Sequence, residues 1–322
     1  MIDRRHLLAA SAIGALLPAV AMAQDFSSKP IRIIVPFGPG GIADLTARAV
    51  ARALGDNLHQ SVIVENRPGA GGIVGGELVA KAEPDGHTLL LMSNGTAVSA
   101  GLFKMLPFDA QKDFAPVVTL GFFDLAVLTA ASSRFQTMQE MLAFAKANPG
   151  KLNVGTINIG STQHLAAELL KSSAGVQFQV VPFNGSPAVL GALRGGQVDA
   201  VVEILGPMMT QVAAKTVRPL AVMGARREAT LPEVPTVAES GVPGFAAASW
   251  NALAAPARTP PQVIATLNRE TNKALADQEL RKQFALLHVA PAGGTPEQTR
   301  ELLALETRRW ADVISRAHIP RQ

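Results

Sequence analysis

The residues best suited to chemistry in this chain are glycines, held in two loops of similar design. The first is Pro36-Phe37-Gly38-Pro39-Gly40-Gly41-Ile42-Ala43-Asp44, which follows the apolar run Ile31 to Val35. The second is Asn66-Arg67-Pro68-Gly69-Ala70-Gly71-Gly72, which follows Val62-Ile63-Val64-Glu65. Glycine lets the backbone approach a ligand closely, and a helix start leaves several N–H groups unpaired. Free N–H groups and the helix dipole both favour negative charge, so each loop suits an anion. Two such loops from neighbouring strands would close around one small carboxylate. The first loop also matches the dinucleotide fingerprint G-x-G-x-x-A over Gly38 to Ala43, with Glu65 about twenty residues further on. That leaves an exported dinucleotide-binding oxidoreductase as the alternative reading.

A third candidate helix start is Ile159-Gly160-Ser161-Thr162-Gln163-His164. Ser161 or Thr162 suits a cap, and the neighbouring N–H groups suit a second carboxylate. His164 lies within the first turn, where a lone histidine commonly packs or caps. Glu203 ends an apolar strand, either as an exposed strand end or facing a ligand, and Trp250 suits a hinge or core. No G-x-S-x-G elbow, H-E-x-x-H or paired-histidine cluster occurs, which removes local support for nucleophilic or zinc hydrolysis. The absence of cysteine removes disulfides, thiolate nucleophiles and cysteine metal sites. No catalytic residue, cofactor or metal site is expected.

These loops need elements to hold them. Short β-branched runs alternate with amphipathic stretches: strands at Ile31 to Val35, Val62 to Val64 and Thr88 to Met92, and helices at Ala43 to Leu58 and Gly75 to Lys81. A second series follows, with strands at Asp124 to Thr129, Leu152 to Gly155, Gln177 to Val181, Ala200 to Glu203 and Arg218 to Met223. Its helices run Met138 to Ala147, Thr162 to Ser173, Ser186 to Arg194 and Pro207 to Ala213. The region Thr230 to Gly244 reads as irregular surface chain. Ser249 to Ala254 is a strand, and helices follow at Gln262 to Ala276, Gln278 to Leu287 and after the capping box Thr295-Pro296-Glu297-Gln298. Strand–helix–strand alternation predicts a parallel sheet covered by helices.

At 322 residues the chain has room for two domains. A net charge of +4 and the absence of tyrosine argue against a nucleic-acid partner. Arg4 and Arg5, the apolar stretch Leu7 to Val20 and the site Ala21-Met22-Ala23 predict an export signal over residues 1–23, cleaved after Ala23. Arg4-Arg5-His6-Leu7-Leu8 resembles a twin-arginine signal, beside the ordinary secretory route.

Longer segments carry a resemblance over essentially the whole mature chain: KPIRIIVPFGPGGIADLTAR, VIVENRPGAGGIVGGELVAKAEPDGHTLLL, GSTQHLAAELLKSSAGV, VPFNGSPAVLGALRGGQVDA, ATLPEVPTVAESG and SWNALAAPARTPPQVIATLN. In this order they resemble the extracytoplasmic solute receptors of the Bordetella uptake gene type, related to the binding component of tripartite tricarboxylate transporters. The resemblance implies an α/β periplasmic binding protein fold: two α/β lobes, a ligand cleft between them and two crossover segments. Lobe 1 would take residues 24–123 and 249–322, and lobe 2 residues 124–248. It implies a ligand carboxylate at Phe37, Gly40, Gly41, Ala70 and Gly71, with Asp44 bracing the first helix. Ser93, Asn94 and Thr96 would line the same cleft. Gly160, Ser161, Thr162 and His164 would meet the far end, and Phe183, Asn184 and Glu203 would complete the wall. The family often reads VPYKG where this chain has Val181-Pro182-Phe183-Asn184-Gly185, and an Asp-Asn pair where it has Glu203-Ile204. The distal pocket is therefore less polar than is usual for the family. Expected partners are a small organic carboxylate and either membrane permease subunits or a sensor. The protein would be periplasmic, monomeric, non-catalytic and without a nucleic-acid partner.

Overall fold

The computed structural model describes residues 29–316 and 319–321. The expected signal segment and its cleavage site lie outside the described residues. The first part of the chain runs β1 (Ile31–Val35), α1 (Ile42–Leu58), β2 (Val62–Asn66), a 3-10 turn (Ala70–Gly72), α2 (Ile73–Ala80), β3 (Thr88–Ser93) and α3 (Asn94–Leu102). The long β4 (Phe114–Ala130) leads into α4 (Met138–Ala147), β5 (Asn153–Ile157), α5 (Thr162–Ser173), β6 (Gln179–Phe183), α6 (Ser186–Arg194), β7 (Ala200–Ile204), α7 (Leu205–Ala213) and β8 (Val217–Val222). The return passes through β9 (Ala248–Pro256), α8 (Pro261–Ala276), α9 (Gln278–Leu286), β10 (Ala290–Pro291) and α10 (Pro296–Arg316).

Local chemistry explains most boundaries. Thr137 and Glu140 exchange reciprocal bonds at the start of α4, and Asp277 accepts from the Glu279 and Leu280 N–H groups at the start of α9. Thr295 and Gln298 form the expected box before α10, at 2.8 and 3.2 Å. Apart from Arg32 and Thr88, β1 and β3 are buried on both faces and mostly apolar, as strands covered by helices on each side must be.

The sheet is mixed rather than purely parallel. Its strand order is β2-β1-β3-β9-β4-β7-β5-β6, with β8 and β10 also paired to β4. β1 is parallel to β2 and β3, and β5 is parallel to β6 and β7, as strand–helix–strand units require. β9 runs antiparallel to β3 and β4, and β4 antiparallel to β7 and β8. These antiparallel pairs arise where the chain passes from one group of strands to the other and returns. β4 takes part in both groups. It pairs with β9 as far as Asp124 opposite Ala248, and Leu125 then faces Ile204 of β7.

α10 folds back onto α3 and β4. Its buried Trp310 donates from Nε1 to Asn94 Oδ1 at 2.8 Å and to Glu306 Oε2 at 2.9 Å. Arg309 donates to the Ala246 carbonyl at 2.9 Å, which ties the tail to the returning crossover.

Candidate functional site

Three helix starts meet around one cavity. From α1 come Gly41, Ile42 and Ala43, together with Phe37 and Gly38 of the first glycine loop. From α5 come Thr162 and Gln163, and from α6 Gly185 and Ser186. The remaining lining is Ser93, Phe123, Ile157, Ile204, Ser249 and Asn251. The cavity has a volume of about 30 Å³.

α1 and α6 begin on glycine N-caps, Gly41 and Gly185, and neither start has a side-chain cap. The first-turn N–H groups of α1, and those of Ser186 and Ala188 in α6, where Pro187 has none, are therefore left for a ligand, and the positive ends of both helix dipoles face the same space. Gly185 sits at φ +94°, a conformation that favours glycine. α5 is different: Ser161 is fully buried, accepts from the His164 N–H at 3.1 Å and donates to the Ile157 carbonyl at 3.3 Å. Ser161 is thus a plain cap, and its neighbours Thr162 and Gln163 reach the cavity. The Thr162 and Ser249 hydroxyls are hydrogen-bonded to each other at 2.9 Å. Asn251 is 1% exposed, and its Nδ2 has no protein partner. A buried amide donor without a partner is costly, and an anion in the cavity would satisfy it.

The first loop is braced from behind. Asp44 accepts from the Gly40 N–H at 3.0 Å and from Arg48 at 3.0 and 3.1 Å. Arg48 donates to Asn66 Oδ1, and Asn66 donates to the Phe37 carbonyl, both at 3.1 Å. Burial by itself would raise the Asp44 carboxyl. The Arg48 guanidinium and the Gly40 N–H outweigh it and hold the group below its ordinary range. Asp44 therefore braces the loop, in line with its expected role.

Phe37, Gly41, Ser93 and Thr162 are the expected site residues that line this cavity. Gly71 and Thr96 line a second, smaller space of about 10 Å³, which shares Phe37 and Ser93 with the first. The two glycine loops thus face two adjoining spaces rather than one. Gly40 sits at the loop crest at φ +80°, and a Cβ there would lie 3.6 Å from Pro187. Ala70 opens the 3-10 turn. Gly71 and Gly160 face each other: a Cβ on Gly160 would lie 3.5 Å from the Gly71 Cα. Asn94 does not line the cavity, because its amide oxygen holds Trp310. His164 is buried with an unpartnered Nδ1, and burial lowers its pKa, favouring the neutral ring. Phe183 is half-buried against the core cluster around Val189 and Leu193, and Asn184 is exposed.

Glu203 is not an exposed strand end: it is fully buried, one layer behind the cavity wall. Its Oε2 accepts from Gln163 Nε2 at 3.1 Å, and its Oε1 accepts from the Ser186 hydroxyl. Burial pushes the carboxyl from its ordinary 4.5 up to about 7, against the lowering effect of the Ser186 and Gln163 bonds. Gln163, Gly185, Ser186, Ser249 and Asn251 are lining residues outside the expected set. Gly185-Ser186 carried a readable signal, a glycine cap directly before a predicted helix. Ser249 and Asn251 lie at the start of a predicted strand and carried none.

The dinucleotide reading finds no support in this geometry. Glu65 is held by Arg32 at 2.6 and 2.9 Å and by Arg67 at 3.1 Å. The Arg32 bond leads in pulling its carboxyl down to about 2. It is committed to these cations and does not line the cavity.

This arrangement is that of a solute-binding protein, an α/β frame in which helix starts enclose a small space. The sequence profile described as "Tripartite tricarboxylate transporter family receptor" matches residues 46–319, and the chain belongs to this family. It is 37% identical over 300 residues to the protein BugT of Bordetella pertussis, covering 92% of each chain. Among solved structures, R. palustris Rpa4515 with adipate superposes with a TM-score of 0.88 at 30% identity, covering 92% of this chain and 99% of that one. MatC from Rhodopseudomonas palustris with bound malate gives 0.84 at 30% identity, covering 88% and 98%. Among the described residues, no helix is long and apolar enough to cross a membrane.

Proposed function

We propose that the protein is a periplasmic, non-catalytic receptor that captures a small organic carboxylate and hands it to a membrane permease of the tripartite type. The observation that carries this reading is the meeting of the uncapped α1 and α6 starts with the unpartnered Asn251 amide around one cavity. Those groups are hydrogen-bond donors, and neither lysine nor arginine is among the lining residues. A carboxylate is therefore held by dipoles rather than by ion pairs. The relatives with adipate and with malate support the same ligand class.

Residues 124–248 form one lobe of this receptor and residues 24–123 with 249–322 the other, acting as a monomer. Contacts across the cavity stabilise the closed form. The Cβ position of Gly41 lies 3.3 Å from Ser186 Oγ, and that of Gly71 lies 2.7 Å from the Ile159 carbonyl. A ligand touching both lobes shifts the population toward closure. A calorimetric screen of monocarboxylates, hydroxy acids, malate, adipate and citrate tests the reading. Binding of at least one acid, accompanied by a smaller scattering radius, is expected. Citrate should bind more weakly than acids with a neutral far end, since the apolar wall and Glu203 offer a second carboxylate no cation. Failure of every acid to bind would overturn the receptor reading.

A further inference from the structure

Ser186 joins a buried carboxylate to the cavity. On one side it gives its hydroxyl proton to Glu203 Oε1. On the other, its Oγ lies 3.3 Å from the Cβ position of Gly41, the N-cap of α1. A ligand carboxylate held by the α1 and α6 starts therefore sits against this oxygen. Glu203 is fully buried behind it, with Gln163 as its other side-chain partner. Neither lysine nor arginine is among the residues that line the cavity. An ionised Glu203 is thus an uncompensated charge two hydrogen-bond lengths, about 6 Å, from the charge of the ligand.

The Ser186 hydroxyl acts in the same direction. A serine has one proton to give, and an ionised carboxylate only accepts. While Glu203 is ionised, that proton points at Glu203 and the ligand meets oxygen lone pairs. A protonated Glu203 donates to the Ser186 oxygen instead, which frees the serine proton for the ligand carboxylate. Protonation therefore removes a repulsion and adds a donor at once.

We propose that the receptor captures its carboxylate together with one proton, which Glu203 takes up from solvent as the ligand seats. The proton returns to solvent when the ligand leaves. This rests on the carboxylate-receptor reading and deepens it. Ligand and proton raise each other's affinity by the same factor.

Glu203 lies on β7, packed against β4, β5, α5, α6 and α7. β5 and α7 carry no titratable side chain. Arg194 is exposed at the last turn of α6. α5 carries His164, Glu168 and Lys171, and the last two pair with each other. β4 carries Asp124, whose charged neighbours are Glu228 and Arg226. Across the cavity, Asp44 is held by Arg48. None of these charges is among the groups that perturb Glu203, and burial leads in bringing its carboxyl to about 7. A ligand carboxylate moves that titration further upward. Burial lowers the pKa of His164 below its ordinary 6.5, so it adds nothing at higher pH.

Caproate, malate and adipate serve as probes, since all three are ionised above about pH 6.5. The tightest binder is titrated into the exported protein in phosphate and in Tris, whose different ionisation enthalpies count the protons exchanged. At about pH 8, uptake of more than about half a proton per ligand is expected, and near pH 6, where Glu203 already holds its proton, about a tenth. Affinity should fall about tenfold between about pH 6.5 and about pH 9. Glu203→Gln should abolish the uptake and hold affinity within about twofold over the same range. Infrared difference spectra of the unsubstituted protein need no variant. At about pH 8, a carboxylic-acid carbonyl band should appear on binding, unmoved by a 13C-carboxyl label in the ligand. Binding at that pH without proton uptake would overturn the inference while the receptor reading stands. So would uptake that persists in Glu203→Gln, or a band that moves with the labelled ligand. No binding by these acids or any other would overturn both.

Discussion

The hydroxyls of Thr162 and Ser249 lie 2.9 Å apart, both buried, and join the start of α5 to the start of β9. Both residues also line the cavity, so this bond forms part of its wall. Thr162→Val keeps the shape and removes the hydroxyl. Affinity is expected to fall about three- to tenfold, matching the net value of one neutral hydrogen bond. Ser249→Ala should give a similar loss, and the double variant should lose little more than either alone. Calorimetry on the three variants checks this, and fully additive losses would show that the pair does not act as a unit.

Gly41→Val should remove carboxylate binding while leaving a folded protein. The Gly41 φ of −86° is open to any residue, but its Cβ position is already 3.3 Å from Ser186 Oγ. The branched side chain therefore obstructs the α1 start itself. Gly71→Val acts differently, because Gly71 adopts φ +66° and its Cβ would lie 2.7 Å from the Ile159 carbonyl and 2.9 Å from the Phe103 ring. It should lower stability by about 1–3 kcal/mol from backbone strain and hold the Gly71 and Gly160 loops apart. Thermal unfolding beside calorimetry separates the two effects. Unchanged affinity in both variants would remove the anion from these loops.

Asn251→Leu should move binding and stability in opposite directions. The substitution removes a donor to a charged ligand, about 1.5–3 kcal/mol of affinity. It also removes a buried amide donor that lacks a protein partner, so the protein without ligand should melt no lower than the parent. A matched loss of affinity and melting temperature would mean that Asn251 is structural.

The pH dependence of stability follows from Glu203. Its carboxyl titrates near 7 in the folded chain against an ordinary 4.5. A raised folded value means that the folded state binds the proton more tightly. The associated stability is complete below about pH 4.5 and declines as pH rises to about 7, by roughly 3 kcal/mol in all. Glu203→Gln should flatten that slope and raise the melting temperature at about pH 8. Denaturant melts between about pH 4.5 and 8 test this, and an unaltered slope in the variant would exclude Glu203 as its source.

Much of the frame was legible because its signals are local. Thr162 and Ser186 mark the first residues of α5 and α6 as expected, since each stands directly after a cap. α3 escaped notice because Asn94-Gly95-Thr96 reads as loop chemistry. In the fold, Ser93 accepts from Gly95 N–H and Thr96 accepts from Ser93 N–H, a reciprocal cap with threonine in the usual Glu or Gln place. The first half of β4 was obscured by Pro116 and Gly121, both of which fall at register shifts against β9. The position of Glu203 was beyond local reading, because its burial depends on Gln163, forty residues earlier, and on Ser186, seventeen earlier. Ser249 and Asn251 reach the cavity only because β9 lies between β3 and β4, an antiparallel insertion that a parallel alternation pattern does not suggest.

β4 passes from one group of strands to the other without ending, its ladder moving from Asp124 opposite Ala248 to Leu125 opposite Ile204. A swivel made of loop has slack. This one is a single residue step inside a hydrogen-bonded strand, so turning one group against the other twists the strand as a torsion spring is twisted. The same continuity leaves neither half a separate melting transition, since unravelling β4 at either end strips a strand from the other. A scanning calorimeter would record the molecule as one unit, even though two groups of strands enclose its cavity.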